Sequence, residues 1–267
     1  MQAITKDGMF KILEYKAKKS RESILYLAAI KKYAFGEFSD ADRKTPFVIS
    51  FLESIERQKK KIYTDDWNKN NLSGDGLKER LYQYGVEEHY FDCKSLNIPE
   101  RLFSSFREII KGKSAYIYGN VGSGKTYFCA TAMKIIIEKD KAFTADDGSI
   151  YIPTQKVCLT SSDKLLNALK HKIAINESIS EILEPICEIQ TLFLDDIATQ
   201  KMTDFANQSL FHIVDYRYNK DMHTVFTSNK SISQLEATGI DSRIISRINE
   251  MCKIIEISED DRRINNV

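Results

Sequence analysis

Gly119-Asn120-Val121-Gly122-Ser123-Gly124-Lys125-Thr126 follows the apolar run Ala115-Tyr-Ile-Tyr118 and opens a helical pattern over residues 125–138. Strand, glycine loop, helix is the setting in which a backbone can cradle a polyphosphate. Gly119, Gly122 and Gly124 have no Cβ, so the chain can wrap an anion and turn its N–H groups inward. The helix beginning near Lys125 adds the positive end of its dipole. Lys125 brings a point charge for the β- and γ-phosphates, and Thr126 brings a hydroxyl for Mg²⁺. ATP and Mg²⁺ are thus the expected cofactors. The expected contact set runs through Asn120, Val121 and Ser123 to Tyr127.

Two further strands supply what hydrolysis needs. Thr191-Leu-Phe-Leu-Asp195-Asp196 is an apolar strand ending in paired carboxylates. In a parallel sheet, ligands sit off the carboxyl ends of the strands. Asp195 is therefore expected to join Thr126 in holding the metal, and Asp196 to orient or deprotonate the attacking water. Thr224-Val-Phe-Thr-Ser-Asn229 is the next strand, and the Asn229 amide at its end can position the γ-phosphate or the water. The arginines Arg243, Arg247, Arg262 and Arg263 follow. One of them, supplied by a neighbouring copy, could neutralise γ-phosphate charge as an arginine finger does.

Upstream, residues 9–34 carry a helical apolar stripe, Phe10, Leu13, Ala17, Ile24, Leu27 and Ala28. Thr45-Pro46 is a helix start with Thr45 as cap. Its stripe, Val48, Phe51, Leu52 and Ile55, ends in the basic run 57–61, which fits either a solvated helix end or a partner contact. Residues 64–76 have loop composition and are expected to link a helical N-terminal part, 1–76, to the remainder, 77–267. Tyr82, Tyr84, Tyr90 and Phe91 could stack bases or pack a domain boundary. A helix is expected from Pro99 to residue 110. Past the glycine loop, residues 140–156 read as a hairpin, 157–160 as a buried strand, and 177–187 as a helix. Between these last two, a helix capped by Ser161 or Ser162 ends in Lys170-His171-Lys172. Alternating strands and helices predict an α/β protein with a parallel sheet.

Composition bounds the rest. The chain has 267 residues, 42% hydrophobic and 29% charged, an ordinary globular mix. No apolar run approaches the ~20 residues of a membrane span, and the N-terminus has no signal-peptide core, so a cytoplasmic protein without membrane contact is expected. The five cysteines are scattered with no C-x-x-C, which suits free thiols. Residues 1–80 hold 17 Lys/Arg against 12 Asp/Glu, whereas the remainder holds 22 against 26. A basic N-terminal part is compatible with nucleic acid or an acidic protein partner.

The order of these motifs resembles the helicase-loader branch of the AAA+ ATPases, the DnaC/DnaI type, and its relative, the IstB-type transposition ATPase. The residues that carry the resemblance are Leu192-Phe-Leu-Asp-Asp-Ile197, Phe211-His-Ile-Val-Asp-Tyr-Arg-Tyr-Asn219, Thr227-Ser-Asn229, Arg243-Ile-Ile-Ser-Arg-Ile248 and the run 254–257 with the terminal Asp-Arg-Arg. It covers roughly residues 85–267. The resemblance implies a P-loop NTPase (AAA+) core, a three-layer parallel sheet with a helical N-terminal domain and no C-terminal lid. It implies sensor 1 at Asn229, the arginine finger at Arg247 with Arg243 as a second candidate, and sensor 2 at Arg263. It also implies partners: a hexameric replicative helicase gripped by the N-terminal domain, single-stranded DNA, and further copies of this chain engaged through Arg247 in trans. ATP turnover would be slow and assembly-dependent. A transposase and duplex DNA are the IstB-type alternative, and an adaptor that binds nucleotide only to hold its shape is a third. Lys170-His171-Lys172 is the expected DNA-facing patch, or else an ordinary basic helix end. The chain departs from its relatives at three points. Asp196 stands where AAA+ proteins more often carry Glu, and the 140–156 hairpin is long. Cys93 is the only cysteine ahead of the glycine loop, so that stretch cannot build the zinc-binding N-domain of DnaI-type loaders.

Overall fold

Strands covered on both faces bury the side chains that point to either layer. The computed structural model meets this in Thr191–Asp195 (β5) and His223–Ser228 (β6), every residue of which is buried. It describes residues 39, 43, 46–147, 149–153, 157–174, 179–198 and 202–258. The expected helix over 9–34, the Thr45 cap and the arginines Arg262 and Arg263 lie outside the described residues.

In chain order the other elements are the helices α1 (Pro46–Asn71), α2 (Gly74–Gln83) and α3 (Phe103–Ile110), then β1 (Ala115–Tyr118) and α4 (Lys125–Lys139). The hairpin strands β2 (Phe143–Thr144) and β3 (Ile150–Tyr151) follow, then β4 (Val157–Ser161), α5 (Ser162–Ala174) and α6 (Ile179–Cys187). After β5 come α7 (Asp204–Asn219), β6, α8 (Ile232–Leu235), α9 (Ser242–Met251) and β7 (Lys253–Glu256).

The chain divides into two compact units, residues 1–67 with 142–151, and residues 68–141 with 152–267. In the first, β2 and β3 form the antiparallel hairpin expected from the sequence, with Phe143 opposite Tyr151. The stretch 64–76, expected to be a loop, is not one. Helix α1 continues to Asn71, and α2 starts at Gly74. Its Asp and Lys residues are the solvent face of a helix, whose composition matches that of a loop. Thr64 is buried, and its hydroxyl donates to the Lys61 carbonyl, one turn back. The break falls at Gly74, whose φ is +55°.

The second unit is a parallel five-stranded sheet in the order β4-β5-β6-β1-β7. Alternate residues face opposite layers. Ala115, Ile117, Phe193 and Val225 pack with α2, α3 and α4 residues such as Leu81, Phe106 and Phe128. Tyr116, Leu192, Leu194 and Phe226 pack with residues of α5, α6, α7 and α9 such as Leu169, Leu183, Ile213 and Ile248. That is the three-layer AAA+ architecture expected. The β4 side of the sheet receives the chain after α2: the Leu159 N–H donates to the Tyr84 carbonyl at 2.8 Å. That bond satisfies one backbone donor of the edge strand. All five cysteines are free thiols, and no helix among the described residues is long and apolar enough to cross a membrane.

Candidate nucleotide site

Register decides which strand ends meet. Tyr118 pairs with Ser228 on one side and Glu256 on the other, so the glycine loop leaves β1 between the ends of β6 and β7. At Gly119 the approach of the last strand leaves no space for a side chain. A Cβ there would sit 2.0 Å from the Ile257 carbonyl oxygen. Gly124 caps α4 at φ +96°, a left-handed conformation that a side chain disfavours.

Lys125 is buried, and its ammonium donates to the carbonyls of Gly119 and Asn120 at 3.0 and 2.9 Å and to Asn229 Oδ1 at 2.7 Å. Thr126 Oγ1 donates to Asp195 Oδ2 at 2.8 Å. The other carboxylate oxygen, Asp195 Oδ1, accepts from the Thr227 hydroxyl. Two hydrogen-bonded pairs, Lys125 with Asn229 and Thr126 with Asp195, thus lie at the carboxyl ends of β1, β5 and β6.

Asp196 follows β5 at φ +54°, unusual for a residue with a side chain, at a cost of about 1–2 kcal/mol. The surroundings hold it there. Its N–H donates to Thr227 Oγ1 at 2.9 Å, and its carbonyl accepts from Ser162 Oγ at 2.8 Å. Ser228 Oγ donates to the Ile197 carbonyl at 2.8 Å. Thr227, Ser228 and Ser162 therefore shape the turn that carries the second acid. Sequence reading assigned them no such role. The available signal was their place at strand ends, since Thr227 lies one residue past the Leu194–Phe226 pair, level with Asp195.

Val121, 61% exposed, and Asn120 form the tip of the loop. The Tyr127 hydroxyl turns to the 94–97 turn, accepting from the Lys94 N–H at 2.8 Å and Asn97 Nδ2 at 2.9 Å. Arg247 touches none of the loop residues in any of its hydrogen bonds. Its Nε donates to Asp215 Oδ1 at 2.7 Å and its Nη1 to the Arg243 carbonyl at 3.2 Å. Arg243 pairs with Asp241 at 2.7 Å.

The donor set suits a nucleotide with a divalent cation. Among the described residues nothing hydrogen-bonds the buried Ser123 hydroxyl inside the loop. The loop N–H groups, Lys125 and the α4 N-terminus would hold the phosphates, while Thr126 and Asp195 present oxygen ligands of the kind Mg²⁺ takes. The cation would supply charge neutralisation along the phosphates.

Behind the site, Arg217 of α7 is fully buried. It donates to the carbonyls of Ile186, Cys187, Ile189 and His223 and to the Thr224 hydroxyl, at 3.4, 2.8, 2.6, 2.6 and 2.7 Å. Burial lowers its pKa to about 10, so it stays charged at neutral pH. His223 lies beside it, within hydrogen-bond distance of Thr191 Oγ1 at 3.0 Å. Burial, then the Arg217 charge, push its pKa down to about 4. The unfolded chain takes up this proton as pH falls through about 6.5, and the folded chain only near 4. Stability is therefore full above pH 6.5 and declines between 6.5 and 4. Denaturation at pH 7.5 and pH 5 is expected to differ by about 2 kcal/mol from this group, and His223→Gln to flatten that slope.

Residues 109–254 match the family described as the bacterial DnaA ATPase domain. The replicative helicase loader DnaI of Bacillus subtilis is 26% identical over 133 residues, 49% of this chain and 38% of DnaI. The chain spans less than half the length of the curated relatives it matches. Among solved structures, the DnaC helicase loader superposes with a TM-score of 0.51 at 22% identity, over 64% of this chain and 100% of that one. AMPPCP-bound DnaA from Aquifex aeolicus superposes with a TM-score of 0.50 at 20% identity, over 61% of this chain and 48% of that one.

Proposed function

Because the chain belongs to the bacterial DnaA ATPase-domain family of AAA+ proteins, we propose that it is an ATP-dependent loader of a hexameric replicative helicase. The ATPase part binds ATP with Mg²⁺ through residues 119–127, Thr126 and Asp195. Asp196 activates the attacking water, Asn229 positions it against the γ-phosphate, and Arg263 contributes as sensor 2. The N-terminal part grips the helicase. Copies assemble side by side on single-stranded DNA, each lending Arg247 to its neighbour's nucleotide, so turnover is slow until assembly completes the site.

The observation that carries this reading is the split of the machinery. Lys125 pairs with Asn229 and Thr126 with Asp195 at the strand ends, while among the described residues every hydrogen bond of Arg247 goes to Asp215 or Arg243. The likeness to DnaI favours the helicase as partner.

The test is retention of the cognate hexameric helicase on the immobilised chain, with binding of labelled single-stranded and duplex DNA measured alongside. Helicase retained with ATP, with single strands bound in preference to duplex, is the expected result. Lys125→Ala is expected to weaken ATP affinity about 100-fold, through loss of a charge-assisted phosphate contact, and to lose the nucleotide dependence of retention. No retention together with duplex preference would instead identify a transposition ATPase.

A further inference from the structure

The Arg247 guanidinium is engaged within its own chain on every nitrogen. Nε donates to Asp215 Oδ1 at 2.7 Å, Nη2 lies 2.5 Å from the same oxygen, and Nη1 donates to the Arg243 carbonyl at 3.2 Å. Its Cζ lies 4.9 Å from the Phe211 ring centroid and 5.7 Å from that of Tyr218. Phe211, Asp215 and Tyr218 are spaced four and three apart on α7, which sets them along one helix stripe. Helix α7 thus presents a carboxylate flanked by two rings, shaped to receive one arginine from α9. Arg243 lies over Phe211 at 4.2 Å, yet spends its own donors on Asp241. The Arg247 and Asp215 side chains are 26% and 31% exposed, so the pair is held but not sealed.

We propose that Asp215 is a latch on Arg247. The carboxylate and the γ-phosphate of a neighbouring copy's nucleotide compete for the same guanidinium, and assembly exchanges the first anion for the second. This rests on Arg247 being the trans-acting arginine. Asp215 holds the Nε and Nη2 edge of the guanidinium, and an edge paired with one anion is closed to a second, so that edge reaches the phosphate only after the latch opens. A partly exposed ion pair is weak enough to open on assembly and strong enough to bias the dilute chain. Asp215 is a positioning residue in this scheme and touches no reacting atom.

ATP turnover by the 267-residue chain, followed against protein concentration with single-stranded DNA present, tests the proposal. Asp215→Asn removes the charge and keeps the shape. It is expected to lower the concentration of half-maximal turnover about three- to tenfold, with ATP affinity of the dilute chain unchanged. Asp215→Glu is expected to move the midpoint back toward the original value. The shift must vanish when Asp215→Asn is combined with Arg247→Ala. An unchanged or raised midpoint, or a shift that persists without Arg247, overturns the latch. Asp215→Ser is a second charge-free variant that must give the same shift if the asparagine protein melts early. Failure of the finger reading registers separately, as undiminished turnover in Arg247→Ala alone; the latch then has nothing to release and falls with it.

Discussion

Replacing Arg247 with alanine is expected to lower ATP turnover in the assembled state about 10³-fold, while the dilute chain binds ATP as before. The expectation separates two roles that one residue could hold. In the isolated chain Arg247 joins α9 to α7 through Asp215, and it makes no hydrogen bond to Gly119, Lys125 or Asp195. Its loss therefore leaves the phosphate cradle intact. In the assembly its charge would meet the γ-phosphate as negative charge spreads over the equatorial oxygens, where a positive partner lowers the barrier most. Fluorescent-nucleotide titration at low protein concentration, beside steady-state phosphate release at high concentration with single-stranded DNA, measures both quantities. A parallel fall in binding and turnover would point to loss of folding, and thermal melting of the variant decides that case. Undiminished turnover would remove the finger from Arg247 and pass the role to Arg243, whose side chain is 63% exposed.

The second large effect concerns stability. Arg217→Ala is expected to cost about 4 kcal/mol, roughly a 10³-fold change in the folding equilibrium. Arg217 is buried among carbonyls and meets no carboxylate within ion-pair distance among the described residues. It ties the turn after α6, at Cys187 and Ile189, to the start of β6 at His223 and Thr224. Removing it strands those acceptors in the interior and leaves a cavity the size of the side chain. Lysine cannot replace it, because a single ammonium cannot reach acceptors placed around a planar fork. Urea denaturation of Arg217→Ala and Arg217→Lys measures the cost, and a loss under about 1 kcal/mol for alanine would refute the anchoring role.

Several of these residues were present in the motifs without their tasks being readable. Arg217 sits inside Phe211-His-Ile-Val-Asp-Tyr-Arg-Tyr-Asn219, where sequence alone could not separate the buried anchor at 217 from the surface carboxylate at 215. Both are polar residues on a helix, and only packing distinguishes an inward fork from an outward one. Thr227 read as part of a polar strand end, whereas its hydroxyl bridges Asp195 and the Asp196 amide. The stretch 64–76 was misread because Asp, Asn and Lys suit a solvated helix face as well as a loop, and helix α1 runs on to Asn71. By contrast, Thr191–Asp195 was legible as a buried strand from its apolar run, whereas His223–Ser228 is apolar only at Val225 and Phe226 and buries hydrogen-bonded polar residues around them.

The loop 119–126, the acids ending β5 and the amide after β6 were determined by the sequence itself. Each is a local signal: a turn that only glycine allows, an apolar run of strand length, a polar residue at its end. Their meeting was decided by the tertiary structure. Thr126 and Asp195 are 69 residues apart and Lys125 and Asn229 are 104 apart, and no local preference reaches that far. The strand order β4-β5-β6-β1-β7 and its register bring them into hydrogen-bond range. The same packing sets α9 against α7, so that Arg247 rests on Asp215 instead of in its own site. Side-chain chemistry is written residue by residue, whereas the partner each side chain finds depends on which buried surfaces pack together across the whole core.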